Sequence, residues 1–128
     1  MDCKQTSVDS SPVINTLSVD VEEYFHAANL ATVAPPKAWR TLPHRADIAT
    51  KQIIELFERC NIQATFFILG YVARRFPVIV KELAARGHEI ASHGYAHQLA
   101  YQQTPQQFRR DIVRSRKLLQ DLSGQPVN

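Results

Sequence analysis

His93 and His97 stand four positions apart in the run His-Gly-Tyr-Ala-His, and Asp20, Glu22 and Glu23 crowd into Asp-Val-Glu-Glu far upstream. Two neutral imidazoles at that spacing can turn toward one point. A carboxylate brought in from another part of the chain can then complete a facial set of ligands around a divalent metal. A metal held by three protein ligands keeps open positions and makes a bound water far more acidic than bulk water. A second carboxylate nearby can take its proton. Asp20 and Glu22 are able to divide these tasks, one as base and one as ligand, so the constellation is hydrolase-like.

The same residues have a plainer reading. Loop histidines hydrogen-bonded to backbone satisfy an H-x-x-x-H pair, and solvent satisfies acids at a strand end. Gly94, which permits a tight turn, and the strand-end setting of both motifs bring metal binding level with that reading. His26 and His44 read as residues of the surface or of the surroundings of the site, and His88 as a structural hydrogen-bonding residue. Tyr24, Phe25, Trp39, Tyr95 and Tyr101 are able to stack on a sugar ring, although aromatic side chains serve packing first.

The elements that must position these groups follow from periodicity and punctuation. Val13 to Val21 is apolar and β-branched and runs into acids, which predicts a buried strand with Asp20 at its carboxyl end. Tyr24 to Pro43 is broken by Pro35, Pro36 and Pro43 and reads as a long loop, with a short helix near Ala27 to Ala31. Ala49, Ile53, Leu56, Phe57 and Cys60 recur at helical spacing and predict a helix from Arg45 to Arg59. A strand over Ala64 to Leu69 closes at Gly70, and a helix runs from Pro77 to Arg86 with Gly87 as its stop. His88 to Ala91 forms the third strand, and Ser92 to Tyr101 is the loop carrying the histidine pair. Thr104-Pro-Gln-Gln107 is a capping box that opens a last helix, with Phe108, Ile112, Leu119 and Leu122 as its buried stripe and Gly124 as its end. The order β, α, β, α, β, α points to parallel strands with helical crossovers. In such folds the loops after the strands build the site, which brings both motifs together.

Composition narrows the setting. At 128 residues, with 45% hydrophobic and 21% charged positions, the chain is in the range of one globular domain. Residues 1–12 read as a flexible leader and residues 13–128 as the folded domain. No apolar run approaches the roughly 18 residues of a membrane span. The first residues lack the basic and apolar regions of a secretory signal, and Cys3 and Cys60 match no C-x-x-C pattern and read as free thiols. A cytoplasmic location is the expectation. The net charge of +3 is spread along the chain except for Arg109, Arg110, Arg114, Arg116 and Lys117. That cluster reads as a solvated helix face, because no nucleic-acid-binding motif accompanies it.

The runs Leu17-Ser-Val-Asp-Val-Glu-Glu-Tyr-Phe-His26, Ala64-Thr-Phe-Phe-Ile-Leu-Gly70 and Arg86-Gly-His-Glu-Ile-Ala-Ser-His-Gly-Tyr-Ala-His97 strongly resemble the polysaccharide deacetylase family, carbohydrate esterase 4 with the NodB homology domain. The likeness spans about Val13 to Val127, and Asp-Val-Glu-Glu-Tyr-Phe-His places it nearest the exopolysaccharide-associated branch. The resemblance implies a deformed (β/α) barrel, here the N-terminal part of one. It implies removal of acetyl groups from an acetylated carbohydrate polymer with a divalent metal, commonly zinc. Carried over by motif, His93 and His97 are metal ligands and Asp20 is the catalytic base. The family's first motif has a second Asp directly after the base, where this chain has Val21; Glu22 is the nearest substitute as the third ligand.

The chain departs from the family after His97. Arg-x-x-Pro, Asp-Trp and Leu-x-His motifs, the last carrying the general acid, have no counterpart here. The expectation is therefore a truncated deacetylase with weak or absent activity on its own, whose incomplete barrel promotes self-association. Two alternatives are a non-catalytic metal- or glycan-binding remnant and a hydrolase of small cyclic amides of the allantoin type.

Overall fold

The computed structural model describes residues 14–127. The expected leader, Cys3 and the start of the first predicted strand lie outside these residues. Three short parallel strands, β1 (Ser18–Val21), β2 (Thr65–Ile68) and β3 (Glu89–Ser92), form a sheet in the order β1-β2-β3. Ser18 pairs with Thr65 and Thr65 with Glu89, so the strands run in register and their carboxyl ends finish side by side. Helices α1 (Ala46–Cys60), α2 (Gly70–Arg75), α3 (Pro77–Ala85) and α4 (Pro105–Ser123) supply the crossovers and the cover. The chain is thus α/β with a parallel sheet, as the alternation predicts.

One face of the sheet carries the core. Val21, Phe66, Ile68 and Ile90 pack with Ile54 and Phe57 of α1, Val72 of α2, Ile79, Val80 and Leu83 of α3, and Leu119 of α4. Each such side chain contributes about 1.5–3 kcal/mol when fully buried. Strand alternation sends Ser18, Asp20 and Phe67 to the opposite face, where all three are exposed. The first strand is therefore buried on one side among the described residues, not on both.

The predicted helices form, with shifted faces. On α1 the buried residues are Ala46, Thr50, Ile54 and Phe57, while Ala49, Leu56 and Cys60 are exposed. The apolar residues are dense enough to define two adjacent stripes, and packing against Phe66 of β2 and against α3 selects the one around Ile54. On α4 Leu119 is fully buried, but Phe108 is 45% exposed. Thr104 and Gln107 do form the reciprocal cap, with Gly124 in the left-handed region at the other end.

Helix α2 is absent from the sequence reading. Gly70 looks like a strand terminator, yet it begins this helix. Its role is close approach: a Cβ there would sit 2.5 Å from the Tyr95 ring, and Gly70 N–H donates to Gly94 O at 2.8 Å. Phe76, kept out of the helical region ahead of Pro77 with φ −125° and ψ 63°, separates α2 from α3. The Tyr24–Pro43 loop contains three single 3₁₀ turns, Tyr24–His26, Ala28–Leu30 and Pro36–Ala38, the second of them where the short helix is expected.

His88 is the structural residue its position implies. It is buried, and its Nδ1 accepts the Ala64 N–H at 3.3 Å, tying the entry of β3 to that of β2. Burial, then the neighbouring Arg86 cation, lowers its pKa below 6.5. The unfolded chain therefore takes up this proton first as pH falls, so the stabilising contribution is intact above about 6.5 and lost progressively below it. Denaturant midpoints are expected to fall between pH 7 and pH 5, with a shallower fall in His88→Asn, whose Oδ1 keeps an acceptor without a titrating group. Parallel slopes for the two proteins would refute the assignment.

Candidate metal centre

The sheet delivers Glu22 and the histidine pair to one place. Glu22 directly follows β1, and His93 directly follows β3, where its N–H donates to Ile68 O at 3.1 Å. One ligand atom from each of Glu22, His93 and His97 lies within 4.8 Å of the others. His97 Nε2 stands 3.1 Å from Glu22 Oε2, and the two imidazole centroids are 5.2 Å apart. Two bonds of about 2.0–2.2 Å to one ion span at most about 4.4 Å, so an adjustment of about half an ångström closes this set on a single cation. Glu22 Oε2 is buried and makes no hydrogen bond among the described residues, as befits a ligand atom. Two nitrogens and one carboxylate oxygen suit zinc, iron, cobalt or nickel.

The backbone of the histidine loop is specialised. Gly94 has φ 76° and His97 φ 53°. The second value is uncommon for a histidine and marks a locally strained residue at a candidate ligand position. The loop is held from two sides. Gly70 and Tyr71 N–H groups donate to Gly94 and Tyr95 carbonyls, while Asp111 of α4 accepts from Tyr95 N–H at 2.7 Å and from Ala96 N–H at 3.3 Å. Ser115, one turn further along α4, donates to Gly94 O at 2.8 Å and accepts from Ser92 Oγ.

Sequence reasoning missed both Asp111 and Ser115. Their only signal is two polar residues four apart beside the apolar stripe of an amphipathic helix. The basic cluster on α4 also does more than meet solvent: the Arg114 guanidinium lies 3.4 Å from the Tyr95 ring centroid, and Arg116 Nε donates to Val127 O.

Glu23 corrects the reading of the upstream acids as solvated. It is 2% exposed, and its carboxylate accepts from Arg45 and Ala46 N–H at 2.9 and 3.2 Å and meets His44 Nδ1 at 3.1 Å. The start of α1 has Arg45 where a small polar cap would stand, so an acid from 22 residues upstream caps it. Of the two settings read for His26 and His44, surface or surroundings of the site, burial of both side chains excludes the surface. His26 is 3% exposed and its ring stacks 6.4 Å from that of His97. Burial first, then the charges of His97, His44 and His93, lower its pKa to about 4. Its Nδ1 accepts the Glu23 N–H at 3.0 Å, which places the proton of the neutral ring on Nε2. Among the aromatic residues, Phe25, Trp39 and Tyr95 are buried, while Tyr24 and Tyr101 are exposed.

Asp20 stands apart from the three converging donors, exposed on the uncovered face of β1. No helix of the described residues is long and apolar enough to cross a membrane.

Fold and donors together define an α/β protein of parallel strands with a candidate divalent-metal centre at the strand ends. The family model for polysaccharide deacetylases matches residues 42–128, and the chain belongs to that family. The matched range includes both histidines and begins after Asp20 and Glu22. A peptidoglycan-N-acetylglucosamine deacetylase of Bacillus cereus is 36% identical over 75 residues, which is 59% of this chain and 27% of that protein. The crystal structure of the Bc1960 peptidoglycan N-acetylglucosamine deacetylase superposes with a TM-score of 0.58 at 36% identity, covering 59% of this chain and 35% of the other. That of a candidate polysaccharide deacetylase from Mycobacterium smegmatis gives 0.67 at 27% identity, covering 87% of this chain and 40% of the other. The fold is thus part of the NodB-type deacetylase fold, and the chain spans between about a quarter and two fifths of the length of these relatives.

Proposed function

We propose that this chain carries the metal-binding half of a glycan deacetylase site, with Glu22, His93 and His97 as the ligands of a zinc ion and Asp20 as the base. The observation that carries the reading is the convergence of these three side chains within 4.8 Å in a chain of this family. A divalent metal held there supplies Lewis acidity, acidifying a water and polarising the acetyl carbonyl. Asp20 lies two residues before Glu22, so strand alternation carried one residue beyond β1 puts both carboxylates on the same side. Its carboxylate accepts the proton that the attacking water loses. Glu22 offsets the cation's charge, and the Asp111 clamp holds the two imidazoles in place. The group that protonates the departing amine is not identified among the described residues.

The substrate of this reading is an N-acetylated carbohydrate polymer. The relatives named above act on peptidoglycan N-acetylglucosamine according to their names, which supports a glycan of that type. An exopolysaccharide setting rests on the Asp20–His26 run alone. The test is acetate release from acetylated chitooligosaccharide and from peptidoglycan fragments, with and without added zinc. Slow, metal-dependent release that Asp20→Asn eliminates is expected. Release that persists in the presence of a chelator, or that is untouched by Asp20→Asn, would overturn the proposal, and turnover of a small cyclic amide in place of the glycan would redirect it.

A further inference from the structure

The charge pattern of α4 differs from that of α1. On α1 the sign alternates at every fourth residue, through Asp47, Lys51, Glu55 and Arg59, the spacing at which opposite charges support a helix. On α4 the same spacing carries like charges. Arg110 and Arg114 stand four apart, Lys117 follows three further on, and Arg109 is adjacent. Asp111, the acid among them, is occupied by the Tyr95 and Ala96 N–H groups. Like charges at this spacing destabilise a helix, and a face that only meets solvent gains nothing from the repulsion.

These cations wall a hollow of about 450 Å³ between α2 and α4, completed on the α2 side by Arg74. None of Glu22, His93 and His97 lines it. Its lining is largely apolar, with Tyr95, Val113 and Leu118 as the floor, and Val113 is 55% exposed. Five cations surround that floor against the single carboxylate of Asp121, and none of the five forms a salt bridge among the described residues. Arg114 is held over the Tyr95 ring, which leaves Arg74, Arg109, Arg110 and Lys117 exposed and free to meet an anion.

The combination selects one kind of ligand. A flat lipid surface does not enter a concavity, and α4 turns Leu119 and Leu122 to the core. A nucleic-acid strand needs aromatic faces on which to stack, whereas Tyr95 is buried and covered by Arg114. An acidic polysaccharide brings charge without an apolar group for the floor. A peptide that carries an apolar side chain among carboxylates supplies both, and arginine forks match carboxylates in bidentate pairs.

We infer that the hollow between α2 and α4 is a docking site for an acidic segment of a partner protein. An apolar side chain of that segment rests on Tyr95, Val113 and Leu118, and its carboxylates pair with Arg74, Arg109, Arg110 and Lys117. The inference rests on the charge row and the apolar floor and is independent of the metal and of the glycan.

The test uses the full chain and a fluorescein-labelled peptide with glutamates on both sides of a Phe-Leu pair, followed by anisotropy. A second peptide has two serines in place of that pair, and a single-stranded oligonucleotide of equal charge is the third probe. Saturable binding of the first peptide is expected, weakening as salt is added, with the serine peptide about tenfold weaker. The double variant Arg110→Gln, Lys117→Gln is expected to lose at least about tenfold in affinity, and Val113→Ser about fivefold. All three positions are exposed, and the glutamines relieve repulsion, so both variants should keep the parent's urea midpoint. Equal affinity for the two peptides, unchanged binding in Val113→Ser, tighter binding of the oligonucleotide than of the peptide, or no saturable signal each overturns the inference.

Discussion

His93→Ala is expected to lower bound zinc from one ion per chain to near zero, and to weaken zinc affinity by more than about 100-fold in calorimetric titration. The magnitude follows from the donor set. Among the described residues three protein atoms converge, so alanine at one position leaves two, and losing even an outer partner of a ligand typically costs about 10–100-fold. Glu22→Gln tests the less familiar ligand without changing its shape. Removing the anion leaves the cation's charge without its offset at the point where Glu22 Oε2 and His97 Nε2 stand 3.1 Å apart. Its expected loss is of the same order. Since His93 and Glu22 are both half-buried, their variants should keep cooperative unfolding, which separates ligand loss from misfolding. Full zinc occupancy in both variants would show that the three side chains meet for another reason.

Asp111→Ala should have the largest effect on the architecture around the site. Its carboxylate takes two backbone N–H groups of the histidine loop, at 2.7 and 3.3 Å, and hydrogen bonds to a charged acceptor are worth about 1.5–3 kcal/mol each. Loss of about 3 kcal/mol of stability is expected by urea denaturation, with zinc affinity about 10–100-fold weaker because the loop no longer fixes the two imidazoles. Asp111→Asn keeps one acceptor oxygen and should lose about half as much. Gly94 stands so close to Asp111 that a Cβ there would meet its carboxylate at 3.0 Å, so loop and helix are fitted to each other. Zinc affinity unchanged in Asp111→Ala would mean that the backbone bonds to Gly70 and Tyr71 alone hold the loop.

Much of this arrangement is legible in the chain itself. Alternating strand and helix signals are local, and they mark three parallel strands, the Thr104 capping box and the loop after β3 that carries His93 and His97. Glu22 carries no local signal as a ligand, because the family places its second acid directly after the base. The register of β1 and β3 on either side of β2 brings Glu22 to the histidines. Helix faces were harder, since apolar residues at Ala49, Ile53 and Leu56 satisfy the same spacing as Thr50, Ile54 and Phe57. Only packing against a partner decides between stripes one position apart.

By itself the sequence determined the fold class, the elements and the residue types able to hold a metal, all of which depend on neighbours a few positions away. Tertiary structure alone decided that Glu23 is a buried cap for a helix 22 residues downstream and that Asp111 clamps the histidine loop. It also decided that His26 is a buried donor beside that loop. The physical reason is the same in each case. A buried polar group must find a partner wherever the fold offers one, and separation along the chain carries no record of which group that will be.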